Sequence, residues 1–252
     1  MTDRTPPGRA CLQELASQRR LPAHQPMDQV TLEWIAENRP VNFDAEPSLP
    51  RPGLMLEPPR SWFTTTRQAD SNHGIRHNAR VSLLAALLAQ EYGLAGDDVA
   101  AACVAGAVHD CRRHDDRADP DHGRRAASWF LRHTATVTRA LGREVPVALL
   151  HQAAEAVAVH DVPYDRFTAR QEHAYRHAPH LVDVLKAADC LDRYRLPLQR
   201  WWPDTTRLRI PVPDWLPSAA FALVVRSEQA ALDGATHHHA LTGARQSLTP
   251  GQ

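Results

Sequence analysis

Residues 98–110 read Asp-Val-Ala-Ala-Ala-Cys-Val-Ala-Gly-Ala-Val-His-Asp, a nearly unbroken apolar stretch that ends on two ionisable side chains. A helix that is apolar all round has no face to give to water, so other elements must enclose it. Its small side chains permit close neighbours. His109 and Asp110 are thereby delivered to the interior, where such groups are costly unless hydrogen-bonded, paired or bound to a metal. Side by side at a helix end, an imidazole and a carboxylate can ligate one cation from two directions.

The flanking sequence supplies an enclosure made of helices. Across residues 74–92, Ile75, Val81, Leu84 and Leu88 recur at helical spacing with His77 on the same stripe. Gly93 and Gly96 end that helix, and Asp97 reads as the cap of the next. After a polar loop at 111–117, Asp119 reads as a cap and Pro120 as the first residue of a helix that carries His122 and runs to His133. A helix at 146–160 shows apolar Leu149, Ala153, Ala156 and Val157 and ends on His160. Another at 180–195 turns Leu181, Val184, Leu185 and Ala188 to the core and sets Asp189, Asp192 and Arg193 on one side. Trp201, Trp202 and several prolines mark an irregular stretch beyond Leu196, and a last helix spans 218–232. No strand pattern appears. The predicted fold is all-α, a helical bundle with ligands projecting inward.

Ten of the 20 prolines lie in residues 1–60, with one helix-like stretch at 28–38. Residues 1–27 read as a flexible arm and 40–60 as an extended, irregular connector. The predicted organisation is a Pro-rich arm and connector at 1–60, a helical core at 61–235 and a tail at 236–252, in which His237, His238 and His239 read as solvated.

Hydrophobic residues make up 43% of the chain but aromatic ones only 6%, so Ala, Leu and Val must fill the core. With 29 basic and 29 acidic residues, nonspecific binding to nucleic acid or to a membrane surface is not indicated. Cys11, Cys103, Cys111 and Cys190 form no C-x-x-C and no disulfide framework. Cys111 and Cys190 read as packing residues. No leader pattern and no apolar run of about 18 residues occurs, and the expected location is cytoplasmic. The basic residues are arginines with a single exception, Lys186, so clusters of arginine carry little weight. Lys186 lies one helical turn before Asp189, where an ammonium can meet a phosphate.

Four stretches set out one ligand order: His-Gly-Ile-Arg-His-Asn-Ala-Arg-Val at 73–81, Val-His-Asp at 108–110, Asp-Pro-Asp-His-Gly at 119–123 and Lys-Ala-Ala-Asp-Cys-Leu-Asp-Arg at 186–193. Over residues 71–196, roughly half the chain, this resembles the HD-domain superfamily of metal-dependent phosphohydrolases. The resemblance implies that His77, His109, Asp110 and Asp189 bind a first divalent metal ion, and that His122 and His160 bind a second. It also implies hydrolysis of a small phosphorylated substrate, such as a nucleotide or cyclic nucleotide. Mixed N/O ligation suits Mn, Fe, Co, Ni or Zn better than Mg alone, without choosing among them. An oligomer is compatible with the sequence, which marks no interface for one.

The charged loop after Asp110 offers Arg113 as a grip for phosphate, since guanidinium matches phosphate oxygens bidentately. Asp116 is the candidate for orienting water or protonating the leaving oxygen. One departure stands out: some relatives carry an acidic general acid three residues after the pair's Asp, and here that position is Arg113. Two readings stand for His73, as a group facing the site or as a turn residue. Two stand likewise for Arg80, Arg193 and Asp192, as salt-bridge partners of the ligands or as substrate contacts. His151 is out of phase with His160. Relatives with six ligands also include di-iron enzymes that use dioxygen, and a module that binds a phosphorylated ligand without catalysis is a further reading.

Overall fold

The apolar run becomes the inner helix of the fold, with the other helices laid around it. The computed structural model describes residues 10–249. Its helices are α1 (Leu12–Ser17), α2 (Gln29–Glu37), α3 (Thr66–Ala69), α4 (Ile75–Glu91), α5 (Gly96–Val108) and α6 (His122–Arg132). There follow α7 (Thr134–Leu141), α8 (Val147–Val159), α9 (Ala169–His177), α10 (Pro179–Asp192), α11 (Trp215–Leu232) and α12 (His237–Gln246). No strand occurs among the described residues, and none of their helices is long and apolar enough to cross a membrane.

α4 and α5 form a hairpin in which every residue from Val99 to Val108 is buried. Gly106 lets the two backbones meet: a Cβ there would stand 2.6 Å from the Cα of Ser82. α8 and α10 pack on α5, α6 leans on α8, and α11 joins α2, α10 and α12 to α4. The five helices that carry site residues are thus mutually packed, and their ends or faces converge.

Several expectations need correction. Residues 10–27 are not a flexible arm, although residues 1–9 lie outside the described residues. Leu12 and Ala16 are buried. The α2 cap Asp28 also accepts the Leu12 N–H at 2.8 Å. Backbone bonds run from Asp116 N to Ala23 O and from Asn72 N to Gln25 O, both 2.9 Å. These partners are backbone groups, which composition does not reveal. Residues 40–59 are free of helix, as expected, but bury Leu49 and Leu56 against the core. The C-terminal segment is no loose tail. α12 buries Ala240, Leu241 and Ala244, and His237 meets Arg76 at 3.1 Å and Asp70 at 3.0 Å. Residues 250–252 lie outside the described residues.

Helix starts also differ. The α5 cap is Ala95, with Asp97 in the first turn. α6 begins only at His122, after Asp121 in the left-handed region (φ 67°). Asp119 does not cap it, because its carboxylate accepts the His114 N–H and Arg125, each at 2.6 Å. α7 and α9 were not anticipated. α7 buries only Val137, and α9 buries nothing, so neither has a strong apolar stripe. The α9 start did carry a signal, the capping box of Thr168 and Gln171.

A buried ionic network ties α4, α10 and α11 together. Arg80 donates to Asp192 at 2.6 and 3.0 Å and to Glu228 at 2.7 Å, and Arg76 donates to Glu228 at 2.6 Å. Burial works to raise the Glu228 carboxyl, but Arg76 and Arg80 prevail and hold it down to about 2. Its contribution is therefore present above the ordinary carboxylate range and is lost as pH falls from about 4.5 toward 2. Glu228→Gln is expected to cost about 1–3 kcal/mol at neutral pH. Its stability curve should then converge on that of the unaltered protein near pH 2. Denaturant titrations across pH check this, and parallel curves would contradict the assignment.

Candidate metal centre

Six donor side chains reach one place from five helices. His77 stands in the first turn of α4, His109 and Asp110 just beyond α5, His122 at the start of α6, His160 just beyond α8 and Asp189 in α10. All the positions expected to ligate metal are therefore brought together.

Two groups of donors are joined through Asp110. In the first, His77 Nε2 and His109 Nε2 are 3.0 Å apart. Asp189 Oδ1 lies 3.5 and 3.7 Å from them, and Asp110 Oδ2 lies 3.6 and 4.0 Å away. In the second, His122 Nε2 and His160 Nε2 are 3.2 Å apart, and Asp110 Oδ1 lies 2.9 and 3.6 Å from them. Donors each about 2.0–2.2 Å from one ion stand roughly 3.0–3.4 Å from one another; both imidazole pairs meet that spacing, and carboxylate oxygens at 2.9–4.0 Å need shift by only a few tenths of an ångström for each group to hold a divalent cation. Asp110 turns one oxygen to each.

The protonation pattern also fits. His109, His122 and His160 place Nδ1 at 2.6–2.8 Å from the carbonyl oxygen three residues before them, on Gly106, Asp119 and Val157. A carbonyl only accepts, so each Nδ1 carries a proton and each ring turns its Nε2 inward. His77 does the same toward Asp192, whose oxygen lies 2.8 Å from its Nδ1. Four Nε2 atoms and two carboxylates face one another here, a donor set suited to a cation, with the proton on His122 and the guanidinium of Arg113 supplying positive charge beside Asp110. Asp110 Oδ1 is buried, and His122 Nε2 stands 2.9 Å from it.

The electrostatics favour positive charge at this place. Burial works to raise both carboxyls, yet His122 and Arg113 hold Asp110 well below the usual range, and His109 and His77 do so for Asp189. Against its own burial, His122 is held up to about 9 by Asp110.

Around the donors stand the groups that orient them. Asp192 fixes His77 and is itself held by Arg80, so the salt-bridge reading holds for both, through His77 rather than through Asp110 or Asp189. Arg113 reaches the centre, with Nη1 3.3 Å from His122 Nε2 and 3.5 Å from Asp110. Arg195, which was not anticipated, is buried with Nη2 3.3 Å from His77 Nε2. Helical phase pointed to Arg193 instead. The chain tightens into a 3-10 turn at Arg193–Arg195, which leaves Arg193 exposed and turns Arg195 inward. Asp161, also unanticipated, lies 3.5 Å from His122 Nδ1. At Gly123 a Cβ would stand 2.6 Å from Val157 O and 2.9 Å from His160 Nδ1, so glycine is what lets α6 reach α8 here.

Two expected catalytic residues have other partners. Asp116 is buried and accepts from Gln25 N at 2.7 Å, Gln68 Nε2 at 2.6 Å, Ser71 Oγ at 3.1 Å and His73 Nδ1 at 3.1 Å. With those four donors it clamps His73, whose ring meets His77 edge-on at 5.7 Å. Burial, aided by Arg113, pushes His73 down to about 3, so that ring is neutral. Lys186 donates to the carbonyls of His160 at 2.8 Å and Val162 at 2.5 Å, closing the end of α8. Lys186→Met should therefore loosen His160 and weaken metal binding by about 10–100-fold, the usual effect of losing an orienting group. Metal titration checks this, and unchanged affinity would exclude the role.

The remaining candidates are not among the donors. His151 is exposed. Cys111 is buried, and Cys190, partly buried, has its thiol pushed up to about 11 by burial.

No family model matches the chain, and neither does any curated protein or solved structure.

Proposed function

We propose that the chain is a metal-dependent phosphohydrolase of the HD-domain type, acting on a small phosphorylated molecule. The observation that carries this reading is the double use of Asp110, with one oxygen among the Nε2 atoms of His77 and His109 and the other beside those of His122 and His160. The order of the ligands in the sequence supports the same reading.

A divalent cation held by these donors supplies Lewis acidity toward a phosphoryl oxygen and toward water. The chain's own contribution is electrostatic and positional. Arg113 and Arg195 bring fixed positive charge to the two sides of the centre, where they meet the equatorial oxygens of a phosphoryl group. Asp192, Arg80, Lys186 and the clamped His73 keep the imidazoles in place. In the overall step an oxygen of water bonds to phosphorus, the ester P–O bond breaks, and the leaving oxygen takes a proton.

A panel of phosphate mono- and diesters, assayed with Mn, Fe, Co, Ni, Zn or Mg, tests the reading. Turnover that depends on added metal and disappears in His109→Ala is expected. Stoichiometric metal with no hydrolysis of any ester would contradict it. That result would favour the second reading of this imidazole-rich donor set, a di-iron centre that consumes dioxygen.

A further inference from the structure

Beside the centre lies a cleft of about 710 Å³ that shares two of its donors, His160 and Asp189. The Asp189 side chain is 29% exposed, against 0–6% for the other five donors. The centre is therefore approached from the Asp189 side, through this cleft. A volume of this size suits a ligand larger than a bare phosphate.

The lining is mixed, with Asp161, Asp165 and Asp204 on it besides apolar and basic side chains. Val162, Leu208 and Trp202 contribute apolar area, and Arg193 and Arg200 contribute guanidinium groups. Trp202 is preset: its Nε1 donates to Leu196 O at 2.8 Å, and Trp34, Tyr194 and Phe221 meet its ring at 5.6–6.1 Å. Arg193 is preset too, through a 2.7 Å bond from Nε to Trp201 O. Arg207 is paired with Asp204 at 2.8 Å, whereas Arg193 and Arg200 have no ion pair among the described residues. Arginine clusters mean little in so arginine-rich a chain. These two count because they line the approach to the centre and are distinct from Arg113 and Arg195, which serve the centre itself.

Resting on the phosphohydrolase reading, we infer that this cleft holds the non-scissile part of the substrate, a flat ring against Trp202 joined to a second anionic group met by Arg193 and Arg200. The substrate class is an aromatic or heteroaromatic phosphate ester that carries a further phosphate or carboxylate. Rings stack well on tryptophan, and guanidinium pairs with either anion.

The test compares adenosine 3′,5′-bisphosphate with adenosine 3′- and 5′-monophosphate. Binding to the full chain is measured calorimetrically in EDTA, and hydrolysis is followed separately with metal added. The bisphosphate should bind about tenfold more tightly than either monophosphate, as charge-assisted bonds at a partly exposed site allow. That preference should collapse to about unity in Arg193→Ala/Arg200→Ala, two exposed positions whose replacement spares the core. Equal binding of mono- and bisphosphate, or a preference that survives in the double variant, overturns the assignment of the cleft. Hydrolysis of the esters without such a preference counts against the cleft alone. The preference without hydrolysis of any ester supports the cleft as an anion site and counts against the phosphohydrolase reading.

Discussion

Replacement of Arg80 by methionine is expected to cost about 3–5 kcal/mol of folding stability, the range for breaking a buried ion pair by removing one partner. The Arg80 side chain is 1% exposed and supplies both Nε and Nη2 to Asp192 and Nη1 to Glu228. Methionine fills much of the volume but leaves two buried carboxylates short of their cation. Glu228 retains Arg76, and Asp192 retains the Nδ1 of His77. The loss is therefore large without being total. Chemical denaturation measures it, and a change below about 1 kcal/mol would contradict the network's importance. Where Arg80→Met still folds, metal affinity should fall as well, because Asp192 orients His77 from its place on Arg80.

Asp110→Ala should have the larger functional effect. Among the described residues no other side chain turns an oxygen to each pair of imidazoles, so its loss opens both donor groups at once. Metal content and turnover should disappear together. The metal-free variant should lose stability as well, since Asp110 pairs with His122 Nε2 at 2.9 Å and Arg113 at 3.5 Å. His122→Ala provides the contrast: the first donor group is intact there, and about one ion per chain should remain. Full activity in Asp110→Ala would remove the basis for the centre.

Much of this arrangement is legible before folding. The apolar run ending in His109 and Asp110 specifies a buried helix with ionisable groups at its end, and helical periodicity places His77 and Asp189 on neighbouring inward faces. His122 and His160 follow from ligand order, and each is held by the carbonyl three residues behind it, a local interaction. The parts that escaped depend on distant backbone or on a change of helix type. Asp116 is committed to Gln25 N, 91 positions away in the chain. Lys186 is spent on two carbonyls at the end of α8. Arg195 enters the centre only because α10 gives way to a 3-10 turn. The segments that pack against expectation, α1 and α12, bury only a few small or apolar residues each, which leaves little periodic trace.

The most direct measurement is the metal content of the purified chain after loading with each divalent ion in turn, beside Asp110→Ala and His122→Ala. Two ions per chain, falling to about one in His122→Ala and to none in Asp110→Ala, is the predicted result. Failure to retain any ion under all loading conditions, or the same content in all three proteins, would contradict a centre built on Asp110.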